Sequence, residues 1–174
     1  MRLRGTIHKA DATSLVVRTN DGREISLATA EPLRVVEIVP IDPSAIQSGA
    51  FVGTGAVPGA DGSLVAVEVY VFAESARKAN DGRGLRGEPP NATLTNATIV
   101  EVRPGPDVRT MTLRYKDGAK TIQVPNGVPV VTTKPGHRSL VVAGAKTTVI
   151  AQTRDGQPVA TAVLVGRNGF EPPM

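Results

Sequence analysis

Hydrophobic and polar positions alternate with a period of two along most of this chain. Residues 3–9 set Leu3, Gly5 and Ile7 on one face, with Arg2, Arg4, Thr6 and His8 on the other. That alternation predicts a half-buried strand, not a helix. The same pattern predicts strands over residues 14–19, 24–28, 33–39, 50–57 and 64–72. Asp21-Gly22 and Asp61-Gly62 stand where two-residue hairpin turns need φ > 0. Pro32 and Pro40 confine 33–39 to an edge or a short piece, because proline has no N–H for a ladder. Asp42-Pro43-Ser44-Ala45-Ile46 predicts one helical turn, with Asp42 as its cap and Pro43 at its first position. Gly53 and Gly55 inside a strand predict a bend or a close backbone approach.

The pattern then repeats. Gly5-Thr6-Ile7 returns as Ala97-Thr98-Ile99, and Leu15-Val16-Val17-Arg18 as Met111-Thr112-Leu113-Arg114. Asp21-Gly22, Ser48-Gly49-Ala50, Asp61-Gly62 and 65–69 return as Asp117-Gly118, Ala143-Gly144-Ala145, Asp155-Gly156 and 159–163. Gly22 and Gly49 are 27 positions apart, Gly118 and Gly144 are 26 apart. Turns fix strand length and register, so matched turn spacings argue for an internal duplication. A three-strand meander, a crossing segment and a hairpin predict a small Greek-key barrel of the OB type. The expected chain is therefore all-β: one OB-like barrel over residues 1–72, a Gly/Pro/Arg-rich linker over 73–92, a second barrel over 93–166 and an extended tail over 167–174. The linker is expected to pack across the seam between the barrels.

Composition agrees with a β-rich chain. Of 174 residues, 40% are hydrophobic and only 3% are aromatic, while Val and Ile favour pleated surfaces. The chain has no Cys, which excludes disulfides, thiolate metal sites and thiol nucleophiles. No apolar run reaches the roughly twenty residues that a membrane-spanning helix needs. Net charge is +4 and uneven. Residues 1–72 carry net −2, residues 73–92 net +1 and residues 93–174 net +5. The second copy thus reads either as a basic domain for an anionic partner or as a carrier of solubility charge.

Catalytic and cofactor signals are weak. Gly82-Arg83-Gly84-Leu85-Arg86-Gly87 matches the letters of a dinucleotide loop. Pro89 and Pro90 follow it directly, and no helix begins to meet a pyrophosphate. His8 and His137 lie on different copies, without the spacing of metal ligands or of a Ser-His-Asp device. Asp21, Asp61, Asp117 and Asp155 each precede a turn glycine, which a turn role explains. Asn91 and Asn96 begin glycosylation sequons but read as linker and strand entry. No enzyme, cofactor or metal is expected.

Tyr70 and Phe72 share a strand face with Glu68, opposite Val67, Val69 and Val71. Exposed there, with Arg77, Lys78, Arg83 and Arg86 following, they would resemble the stacking platform of a single-strand binder. Tyr115 between Arg114 and Lys116 offers a weaker echo. The bland alternative is that these rings pack against the linker or the other domain. These nine residues form the candidate partner surface.

Taken whole, the chain resembles a family of uncharacterised exported bacterial proteins with two OB-like domains, some labelled "metal ABC transporter permease". The resemblance rests on Gly5-Thr6-Ile7, Val67-Glu68-Val69-Tyr70-Val71-Phe72, Pro90-Asn91-Ala92-Thr93-Leu94-Thr95-Asn96-Ala97-Thr98 and the ending Val165-Gly166-Arg167 … Pro172-Pro173-Met174. It implies a periplasmic mature protein whose signal peptide is gone. The permease label conflicts with the lack of a spanning segment. The expected function is a non-enzymatic periplasmic module that binds an unknown protein or anionic ligand. The alternatives are a single-stranded nucleic-acid binder and a metal-transport accessory protein.

Overall fold

The computed structural model describes residues 1–77, 91–116 and 118–173. Among the described residues the fold is all-β, 63% strand, without a helix of seven residues or more. The strands are β1 (Arg2–Ala10), β2 (Ser14–Thr19), β3 (Glu24–Pro40), β4 (Phe51–Pro58), β5 (Leu64–Val71), β6 (Thr93–Arg103), β7 (Val108–Tyr115), β8 (Gly118–Pro125), β9 (Val130–Pro135), β10 (Lys146–Arg154) and β11 (Gln157–Gly166).

The compact units are not residues 1–72 and 93–166. One unit joins Met1–Val39 to Lys134–Pro173, and the other is Pro40–Thr133. In the first unit β1 pairs with β2 and β2 with β3, all antiparallel. β10 pairs antiparallel with β1 and with β11, and β11 runs parallel to β3 to close the ring. In the second unit β6, β7 and β8 form the meander, β4 pairs with β6 and with β5, and β5 runs parallel to β8. The strands include a closed five-strand barrel, with further strands beside it. Each meander thus pairs with a hairpin from the other half of the sequence. Matched turns say which elements are alike, not which partner each one takes. Two hairpins of one pattern fit either meander at the level of sequence.

The first unit buries Leu3, Ile7, Leu15, Val17 and Leu27 against Val149, Ala151, Ala160, Val163 and Val165. The second buries Ala97, Ile99, Met111, Leu113, Ile122 and Val124 against Val52, Ala56, Ala66 and Val69. These are the inward positions of the alternating pattern, so the period of two determines both cores.

Local signals fare well. Asp42 accepts from the Ser44 N–H at 2.8 Å and caps a one-turn 3-10 helix over Pro43–Ala45. Gly22, Gly49, Gly62, Gly144 and Gly156 all have φ between 76° and 89°. The two expected strands over 24–28 and 33–39 are instead one, β3, running through Pro32 and a cis Glu31–Pro32 peptide. Pairing with β11 skips from Thr29 to Arg34, so Pro32 lies where β11 requires no N–H from it. The tail is docked as a strap. Arg4 donates to the Pro172 carbonyl at 3.1 Å, Asn20 donates to Glu171 at 3.1 Å, and Pro172 and Pro173 are buried. Residues 78–90 of the expected linker over 73–92 lie outside those described, and its expected packing over a seam is left with them.

Candidate binding surface

The exchange redistributes the charge. The first unit carries eleven Lys/Arg against seven Asp/Glu, net +4, while the second carries nine of each, net zero. The whole excess sits in the first unit. The expected basic domain at residues 93–174 therefore does not exist as a compact body, since its hairpin closes the other ring.

Alternation concentrates part of that charge on one sheet face. On β1, Leu3 and Ile7 point into the core, leaving Arg2, Arg4, Thr6 and His8 outward. Lys146 stands opposite Thr6 on β10, Arg18 stands opposite Thr6 on β2, and Glu24 stands opposite Arg18 on β3. A bulge between Ile7 and Lys9 adds a residue to β1, so that Lys9 faces Val16. Arg2, Arg4, Lys9, Arg18, Lys146 and His8 thus lie on three adjacent strands. Arg18 donates to Glu24 at 2.8 Å, and His8 Nδ1 lies 3.8 Å from the same carboxylate. The Arg18 hydrogen bond first, then the His8 charge, hold the Glu24 carboxyl below its ordinary range. A shallow depression opens between Thr6, Ile7, His8, Arg18 and Gly144. Arg4 is partly engaged by the strap, with Glu171 at 3.6 Å.

Equivalent positions in the second unit have a different character. Thr98 lies opposite Phe51 and Arg114, as Thr6 lies opposite Lys146 and Arg18. Leu94 and Asn96 take the places of Arg2 and Arg4. The Phe72 ring closes over this apolar face, 5.9 Å from Phe51 and 5.9 Å from Tyr70. Arg77 lies 5.1 Å from the Phe51 ring centroid, donates to Thr98 and, at 3.1 Å, to the Gly49 carbonyl. Glu74 holds it from the other side at 2.8 Å.

The aromatic platform is therefore not a solvent-facing one. Tyr70 is only 9% exposed and Phe72 is half-buried. Tyr70 does turn away from the core strand face, as the alternation requires, but its face is covered. Tyr115 packs against the second core, with the Lys120 ammonium 5.7 Å over its ring. Arg114 and Lys116 are exposed. Lys78, Arg83 and Arg86 lie outside the described residues, as does the glycine motif at 82–87. Of the nine-residue surface's six described residues, Tyr70, Phe72 and Arg77 come together, as packing around Phe51.

Of the remaining candidates, Asp21, Asp61 and His137 hold turns and caps, and Asp117 lies outside the described residues. Asp21 accepts from Arg23 at 2.8 Å and from the Thr19 hydroxyl, and Asp61 accepts from the Ser63 N–H at 3.0 Å. His137 Nδ1 accepts from the Ser139 N–H at 3.2 Å and caps the turn at Arg138–Leu140. Among the described residues no three His, Cys, Asp or Glu side chains converge. Sequence reasoning missed the Lys146–Thr6–Arg18 row. Its β1–β2 half follows from counting strand positions, but its β10 half needs the exchanged pairing. No protein-family model, no curated protein and no solved structure matches this chain.

Proposed function

We propose that the protein is a non-enzymatic binding module made of two OB-type barrels, and that the outer β10–β1–β2 face of the first unit binds an acidic polypeptide surface. The OB assignment is supported by the order within each ring: a meander, its first strand paired to the fourth, its third parallel to the fifth. The observation that carries the binding reading is the Lys146–Thr6–Arg18 row with Lys9, Arg2 and Arg4 around it. Clustered cations on a sheet face raise the local concentration and on-rate of an anionic partner. The face carries no aromatic side chain, which favours an acidic polypeptide over nucleic acid, whose bases call for stacking. The resemblance to exported proteins is the ground for placing the protein in the periplasm, which cell fractionation tests.

Binding of labelled poly-glutamate and of a single-stranded oligonucleotide should be compared at about 50 and about 200 mM salt. The expected result is poly-glutamate binding that weakens with salt and falls roughly tenfold in a Lys9→Ala/Arg18→Ala/Lys146→Ala variant. No binding at low salt, or no loss in the variant, overturns the reading. Preferential binding of the oligonucleotide would establish the nucleic-acid alternative in its place.

A further inference from the structure

We propose that each half of this chain is the obligate partner of the other, and that the open edges of the β1–β2–β3 meander also accept the β10–β11 hairpin of a second copy, giving an exchanged dimer. The hairpin is held along both of its sides. Five registered residue pairs join β10 to β1, from Arg2↔Ile150 to Thr6↔Lys146, and seven join β11 to β3. It also supplies half of the first core through Val149, Ala151, Ala160, Val163 and Val165. Without it the meander leaves two strand edges unpaired and a hydrophobic face open, which is the surface that recruits another strand pair. The second unit depends on the first half in the same way, through the β4–β6 and β5–β8 pairings.

Connectivity does not restrict the donor to the same chain. Every described strand pairing that seats β10–β11 on the meander joins residues more than a hundred positions apart, so the meander reads only strand pattern and register. Residues 78–90 connect the two halves, and covalent linkage favours the intramolecular pairing through effective concentration. A second copy competes once chains refold together at high concentration, which is the ordinary route of domain swapping.

The test uses the absence of cysteine. Thr6 and Lys146 are directly opposed, a separation that suits a disulfide. A full-length Thr6→Cys/Lys146→Cys variant with a specific protease site inserted between residues 80 and 84 is oxidised and then cut. The expected result is one band at the intact mass on a non-reducing gel, splitting into two on reduction. Tagged Thr6→Cys and untagged Lys146→Cys chains are then unfolded, mixed and refolded at high concentration. A tagged–untagged dimer joined by a disulfide between the two introduced thiols is expected. The wild-type chain carrying only the protease site gives a second readout without cysteines. After cutting, its halves should co-elute in native buffer, and neither half, separated in urea and refolded alone, should give a cooperatively unfolding monomer. Halves that run apart when oxidised, or that fold alone as monomers, overturn the obligate pairing. Failure to form the mixed dimer overturns the exchange between copies.

Discussion

Gly144 donates its backbone N–H to the carbonyl of Ile7 at 2.8 Å, and Gly49 donates to Ile99 at the same distance. The return bonds match too, from Ile7 to Ala145 and from Ile99 to Ala50, each at 2.9 Å. Both glycines sit in the left-handed region, at φ 86° and 89°. These four bonds tie the entry of each hairpin to the first strand of the meander in the other half of the chain. An alanine at Gly144 meets no atom within 4 Å, so its cost is backbone strain alone. Gly144→Ala should lower stability by about 1–2 kcal/mol, read from the urea midpoint. Gly49→Ala should cost about the same. Equal losses are expected because the two sites share one geometry.

Gly53 makes room for Phe72. A β-carbon at Gly53 would lie 2.8 Å from the Phe72 ring and 2.6 Å from the Asn96 side-chain oxygen. Gly53→Ala should therefore destabilise by about 1–3 kcal/mol through overpacking. Phe72→Leu removes the ring from that space. In the double variant the Gly53→Ala penalty should shrink by at least ~0.5 kcal/mol, a coupling that a double-mutant cycle in urea measures. Purely additive losses would show that the two side chains do not compete for one volume.

Much of this arrangement is visible from residue order, and the remainder depends on choices the order leaves open. The period of two identifies Leu3, Ile7, Leu15 and Val17 as core, and all four are buried. The turn glycines at 49 and 144 mark equivalent hairpins. The choice of partner for each hairpin depends on the whole chain path, including β3 running unbroken from Glu24 to Pro40. Local alternation contains no term for that. Tyr70 shows the same limit. Its outward direction follows from alternation, but its burial depends on what packs over the strand, which a period of two does not encode.

Acid should weaken the first unit through two carboxylates. Asp11 accepts from the Ser14 hydroxyl at 2.7 Å, from the Thr13 N–H at 2.9 Å and from the Ser14 N–H at 2.8 Å. These bonds, that of the Ser14 side chain foremost, lower its pKa from 3.8 to about 2. Glu37, 7% exposed, is held below its ordinary range mainly by the Arg167 guanidinium, which donates to both of its oxygens. A carboxyl whose folded pKa is depressed adds stability that is complete above its unfolded value and is lost as pH falls through its folded one. The Asp11 contribution should thus fade between about pH 4 and pH 2. Asp11→Asn should flatten the stability profile in that window, and Glu37→Gln should flatten it below about pH 4.5. Thermal melts across a pH series check both slopes.

Thr54 tests whether the second unit's core tolerates a purely apolar lining. It lies on β4 between Val52 and Ala56, both members of that core, and is fully buried. Its hydroxyl oxygen has no hydrogen-bond partner. Desolvating a hydroxyl without a partner costs about 1–3 kcal/mol. Valine has nearly the same shape and lacks that cost, and β-branched residues suit strands. Thr54→Val should therefore leave stability unchanged or raise it by up to ~1 kcal/mol. Thr147, 2% exposed, provides the control in the first unit. Its hydroxyl donates to the Leu164 carbonyl at 2.8 Å. Thr147→Val should lower stability by about 1 kcal/mol. Opposite signs in urea melts would tie the difference to hydroxyl satisfaction, whereas equal losses would mean that the Thr54 hydroxyl finds a partner in solution.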